Sequence, residues 1–310
     1  MLYFIGLFAG FLLANQSPIN AKLGFVLKSP LRSSLLSFTV GTFFLILIYF
    51  VSGQQQVNLI NVASNNPWWI WFGGLLGVIF LTSNILMFPK LGAIQTIILP
   101  IIGQVIMGVV IDTFGLFNMP IGTLTVTKVI GILLLLGGIY VAVVLANRFE
   151  VKREKKQLGA DTNINIWRMW AILVGAFSAI QQAINGRLGY LLHSVVGSAV
   201  ISFFSGTVVI LIVVLLKERR LWPKTVRITK QPVWLFTGGI LGALFVFSTA
   251  FLVPKLGAGM TVTLSLSGSI IGSIVVAQFG WWQSLKQNVT RVQIIGIALM
   301  VASIALIKFG

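Results

Sequence analysis

Ten stretches of about 20 mostly apolar residues follow one another along the chain, each matching the hydrocarbon thickness of a bilayer. They lie at roughly 2–20, 33–52, 68–88, 93–111, 127–146, 168–185, 196–216, 233–253, 258–278 and 292–309. They leave no room for a soluble domain. Only 9% of the 310 residues are charged and five are acids, while 57% are hydrophobic. A water-facing surface needs about 25% charged residues. Runs such as ILLLLGGIYVAVVLA (132–146) do not alternate as barrel strands do. The predicted fold class is an all-α polytopic membrane protein with ten transmembrane helices.

The net charge is +17, which in a soluble protein would point to nucleic acid. Here the bases sit between apolar runs, so membrane lipid is the expected partner and nucleic acid is not. Eighteen of the 22 Lys and Arg fall in one alternate set of loops and four in the other. The positive-inside rule then places the base-rich loops in the cytoplasm and both termini outside. The N-terminal apolar stretch has no base before it, so a cleaved signal is not expected. The chain has no Cys and a single His, His193, which excludes disulfides, Cys–metal sites and His clusters.

The sequence repeats at an offset of 165 residues without a gap. QSPINAKLG (16–24) falls on QQAINGRLG (181–189), and PKLGA (89–93) on PKLGA (254–258). Ser37-Phe38 and Gly41-Thr42 recur as Ser202-Phe203 and Gly206-Thr207; Gly73, Gly74 and Gly77 recur as Gly238, Gly239 and Gly242. The predicted organisation is a first five-helix repeat (1–147), a polar cytoplasmic linker (148–165) and a second five-helix repeat (166–310). Five is odd, so the second copy enters the membrane from the opposite side, as an inverted repeat. The charges agree: loop 52–66 is uncharged, whereas its counterpart 217–231 reads KERRLWPKTVRITKQ. Inverted repeats are a common route to mirror-related inward-open and outward-open states.

The Q-x-P-x-N-x-x-L-G, S-F-x-x-G-T, W-x-W-x-G-G-L-L-G and P-K-L-G-A motifs, with the run from Gly103 to Leu116, resemble the YdcZ-like family. That family belongs to the drug/metabolite transporter superfamily. The resemblance covers essentially the whole chain, more strongly in its first half. It implies a ten-helix fold in a bacterial inner membrane and movement of a small molecule, with no particular substrate. Small multidrug-resistance relatives use a membrane-embedded Glu in the first helix. Neither Leu2–Asn20 nor Arg168–Asn185 contains an acid, so that mechanism does not carry over.

Gln16 and Asn20, like Gln181 and Asn185, are four residues apart and share a helix face. They either line a substrate path or hydrogen-bond between helices, since amides in hydrocarbon need partners. Inversion would set the two pairs toward opposite faces, as a pair of gates. Gln104 lies near mid-helix with Ser269 as its repeat counterpart; Ser83-Asn84 and Ser248-Thr249 add small polar groups. The resemblance implies that these helices line the cavity. Asp112 directly follows the expected span 93–111, and its counterpart Ala277 is neutral. It is a candidate for ion coupling, with a solvated helix end as the stronger alternative. Lys90 and Lys255 read as snorkelling side chains at Pro/Gly turns. Gly73-x-x-x-Gly77, Gly238-x-x-x-Gly242 and Gly268-x-x-x-Gly272 read as faces for close helix approach.

The sequence contains no nucleotide loop, HExxH or nucleophile elbow. No cofactor and no enzymatic activity are expected. The expected function is a secondary transporter exporting a small metabolite or drug, as a monomer or homodimer. A passive channel or facilitator is the alternative.

Overall fold

The computed structural model describes residues 1–53, 59–145, 164–219, 221, 231–284 and 290–309. The linker expected at 148–165 lies outside the described residues except for its last two positions. Every regular element among the described residues is helical. In chain order these are α1 (Leu2–Val26), α2 (Pro30–Val51), α3 (Leu59–Asn65), α4 (Gly73–Phe114) and α5 (Val126–Ile139). They are followed by α6 (Ile164–Leu191), α7 (Val195–Glu218), α8 (Gly238–Leu256), α9 (Ala258–Phe279) and α10 (Arg291–Phe309). Short α3 has no buried residue. The Trp68–Trp71 turn that follows leaves Trp68 exposed, the position expected of an interfacial aromatic.

The protein is an all-α, polytopic membrane protein. Six helices, α1, α2 and α6 to α9, are long and apolar enough to cross a bilayer on their own. Shorter apolar helical segments at Gly73–Met87, Leu99–Phe114, Val126–Ile139 and Arg291–Ile307 occupy the places of the remaining expected spans.

One departure concerns the expected spans 68–88 and 93–111. Their backbone forms a single helical run of 42 residues, α4, which as a straight rod would be about 63 Å long. It is not a straight rod. Ile79, Phe80, Met87, Leu91 and Leu99 pack into one cluster with Ala171 and Val174 of α6, so the run bends back on itself. The second repeat makes the same reversal with a clean break. Gly257 (φ 82°, ψ 163°) separates α8 from α9 in a conformation that only glycine adopts without strain.

The two halves are related by a pseudo-two-fold axis, and side chains 165 residues apart meet on it. Thr42 Oγ1 and Thr207 Oγ1 are 2.9 Å apart, and the Phe38 and Phe203 rings are 5.1 Å apart. Around this axis α2 and α7 run antiparallel. The start of α2 (Arg32) meets the end of α7 (Glu218), and Tyr49 near the end of α2 packs on Gly197 near the start of α7. Each half lends its first helix to the other. The start of α8 faces Asn20 and Gln16 of α1, while Gly73 and Gly77 of α4 face Asn185 and Gln181 of α6. The core is therefore built mainly across the repeats, from the apolar faces that each five-helix unit leaves uncovered.

Candidate functional site

The amide pairs and the small-residue faces prove to be partners. A β-carbon at Gly242 would collide with the Gln16 amide, and one at Gly238 with the Asn20 amide. Gly77 and Gly73 hold the same relation to Gln181 and Asn185. Each amide end occupies the space where a side chain would start, so any residue but glycine there would displace the amide.

Gln16 and Gln181 then face a common cavity of about 40 Å³. Its lining is pseudo-symmetric: Gln16 with Gln181, Phe38 with Phe203, Gly77 with Gly242, Phe80 with Phe245, and Leu81 with Val246. Leu13 and Ser37 complete it. The cavity is mostly aromatic and aliphatic, with two amides and one hydroxyl to orient a solute, and none of the lining residues is ionisable. A space of that size holds about three water molecules, so a larger solute enters only if the helices part. Asn20 bonds to the start of α2 and Asn185 to the start of α7, which lie at opposite ends of that antiparallel pair, whereas the two Gln meet between them. Gln16 and Gln181 converge because each helix carrying them crosses beside the pseudo-two-fold axis.

Asn20 and Asn185 lie deeper, each about 1% exposed, and tie helices together. Ser37 Oγ donates to Asn20 Oδ1 (2.9 Å), and Ser33 Oγ donates to the Asn20 carbonyl (2.7 Å). In the second repeat Ser198 Oγ donates to the Asn185 carbonyl (2.6 Å). Asn20 Nδ2, Asn185 Oδ1 and Ser202 Oγ have no hydrogen-bond partner among the described residues. These are unmet donors and acceptors just behind the cavity wall, where unpaired polar atoms are costly.

The other sequence candidates fall away from the lining. Ser83 Oγ accepts from Trp170 Nε1 (3.0 Å), a helix-to-helix tie. Thr249 and Ser269 donate to the carbonyls of Val246 and Leu266 in their own helices. Gln104 and Ser248 are buried and Asn84 half-buried, outside the cavity wall. Gln182, one position beyond Gln181, was not singled out by the repeat because its counterpart is Ser17. It is about 1% exposed, and neither its Nε2 nor its Oε1 has a partner among the described residues. Phe80 and Phe245 were missed as well, since a Phe in an apolar helix carries no signal that separates lining from core.

Asp112 is not a solvated helix end. Its two carboxylate oxygens accept from the backbone N–H groups of Ala258 (2.8 Å) and Gly259 (2.7 Å). The acid of the first repeat thus caps the N-terminus of α9 in the second, where four N–H groups lack intrahelical partners. Lys255, in the turn just before, places Nζ 3.5 Å from the Phe251 ring centroid, a cation–π contact. Among the described residues no group of three His, Asp or Glu could hold a metal ion.

The family model described as "Putative inner membrane exporter, YdcZ" matches residues 1–141 and again 166–306. The family match and the long apolar helices make this a multi-pass inner-membrane protein of the exporter class. The chain belongs to the YdcZ family of the drug/metabolite transporters. No curated protein matches it. Sixteen chains of solved structures do. One of them, recorded simply as the crystal structure of a protein, matches over 99% of this chain and 98% of its own at 16% identity. Its TM-score of 0.66 shows a shared fold.

Proposed function

We propose that this protein is a secondary transporter that exports a small, uncharged or zwitterionic solute by alternating access between its two halves. The observation that carries this reading is the cavity on the pseudo-two-fold axis, to which both repeats contribute equivalent residues. A site shared equally by two inverted units can be exposed to either face by exchanging their conformations. The absence of ionisable groups from its lining favours a solute without a net charge, because an unpaired charge there is costly. Asp112 spends its carboxylate on a helix end, which weighs against it as the coupling group and keeps a passive facilitator as the second reading.

The same reading takes 1–147 and 166–310 as the two units joined by a cytoplasmic linker at 148–165. The termini lie outside and the base-rich loops meet anionic lipid in the cytoplasm. The cavity is complete within one chain, so a monomer suffices, and a homodimer would carry two sites.

The test is solute flux in proteoliposomes loaded with a panel of small aromatic amides and alcohols. Transport that reaches a gradient supports the transporter; flux that stops at equal concentrations supports the facilitator. Gln16→Ala and Gln181→Ala should each lower the rate at least tenfold while the folded yield is kept. Unchanged rates in both variants would remove the cavity from the pathway.

A further inference from the structure

The pseudo-symmetry is broken at one end of the α2–α7 pair. There Arg32 Nε lies 2.7 Å from Glu218 Oε2, an ion pair. Ser29 Oγ also donates to Glu218 Oε1. The side chains of Arg32 and Glu218 are only 14% and 18% exposed. The offset of 165 maps Ser29 onto Ser194, Arg32 onto Gly197 and Glu218 onto Gly53. The capping role survives this mapping: Ser29 Oγ accepts from Arg32 N (3.1 Å), and Ser194 Oγ accepts from Gly197 N (2.8 Å). The charges do not survive it. At the other end the ring of Tyr49 rests on Gly197.

We infer that Arg32 and Glu218, held by Ser29, form a one-sided latch that closes the cavity toward the base-rich face and biases the transport cycle. This rests on the transporter reading. Two inverted repeats with the same contacts at both ends would favour neither open state. A pair present at one end adds stability only to states in which that end is closed. Its partners are largely withdrawn from water, so losing one leaves the other charge partly buried and disfavours closure. Opening that end lets both charges hydrate. The latch sits along the same two helices as Phe38 and Phe203 of the cavity wall, so parting α2 from α7 there opens a path to the cavity. Arg32 and Glu218 are positioning residues: they set which face opens and do not touch solute.

The chain lacks cysteine, so a single reporter can be placed at the cavity as Leu13→Cys. Its reaction with a membrane-impermeant maleimide is timed from each side, in spheroplasts and in inside-out vesicles. Glu218→Gln and Arg32→Gln should each speed labelling from the side of the base-rich loops by about fivefold or more, the low end of conformational couplings, and a rise from the opposite side alone overturns the latch. The exchange of charges, Arg32→Glu with Glu218→Arg, should return the rate toward that of the parent. Equal labelling rates in parent and single variants overturn the latch, as does a rise from both sides alike. Should the Gln variants fail to fold, Arg32→Lys, which keeps the charge, is measured against Ser29→Ala; identical rates in both overturn it as well. Labelling that responds as expected in a protein showing no solute flux leaves the latch standing and removes the transporter.

Discussion

At the residue scale, position and partner decide role more than residue type does. Gln16, Gln181 and Gln182 are all buried amides on first helices of the two repeats. Two of them line the cavity and the third is enclosed without a hydrogen-bond partner among the described residues. Repetition marked Gln16 and Gln181, whereas Gln182 stands opposite Ser17 and carries no such mark. Asp112 makes the same point. As an acid at the end of a span it invited an ion-coupling role, yet its oxygens are taken up by the Ala258 and Gly259 N–H groups. Its partners are 146 and 147 residues away, a distance at which sequence patterns are silent. Removing a helix cap costs about 1–2 kcal/mol. Asp112→Ala is therefore expected to lower the melting temperature of the purified protein, with Asp112→Asn, which keeps one acceptor, falling between. A melting temperature for Asp112→Ala equal to that of the parent would show the cap to be dispensable. If uptake by Asp112→Asn keeps its rate and pH dependence, the ion-coupling role is removed.

At the element scale, helix formation was legible and helix pairing was not. Apolar length places the helical segments, since backbone groups in hydrocarbon must be satisfied within the helix, but not all their ends: α1 and α6 run six residues past the expected 2–20 and 168–185, and two expected spans share the α4 run. What the pattern could not give is which helix touches which, because lipid-facing and protein-facing apolar residues look alike. The glycines settle it. A β-carbon at Gly10 or Gly268 would collide with the backbone of α9 or α1, and one at Gly103 or Gly175 with that of α6 or α4. These four form two equivalent crossings, α1 on α9 and α6 on α4. By contrast, a β-carbon at Gly137 would meet nothing within 4 Å. Alanine at any of the four should cost about 1–3 kcal/mol and reduce the folded yield in detergent. Gly137→Ala should leave the yield unchanged. Equal yields across all five variants would show that these crossings relax freely. PKLGA adds a second lesson: the same pentapeptide lies within the helical run of α4 but ends α8 at Gly257. The difference tracks the Asp112 cap, for which Ala277 offers no counterpart.

At the scale of the whole molecule, the duplication gives the chain a near-symmetric frame, and the charges break it. Lys and Arg in alternate loops predict an orientation with both termini outside. A reporter active only in the cytoplasm, fused after Gly310, is expected to be silent, and one fused within 217–231 active. The reverse pattern would invert the topology. Sequence alone determined the membrane class, the helical content, the duplication and the family. Each follows from local or periodic properties: apolar length, scarcity of charge, and self-similarity at a fixed offset. Only the tertiary structure decided that the first helix of each repeat packs into the other, that Gln16 and Gln181 share one cavity, and that Arg32 meets Glu218. Those contacts join residues well over a hundred positions apart. They arise because each five-helix unit leaves an apolar face that only its inverted copy can cover, and neither unit's sequence contains the other's shape.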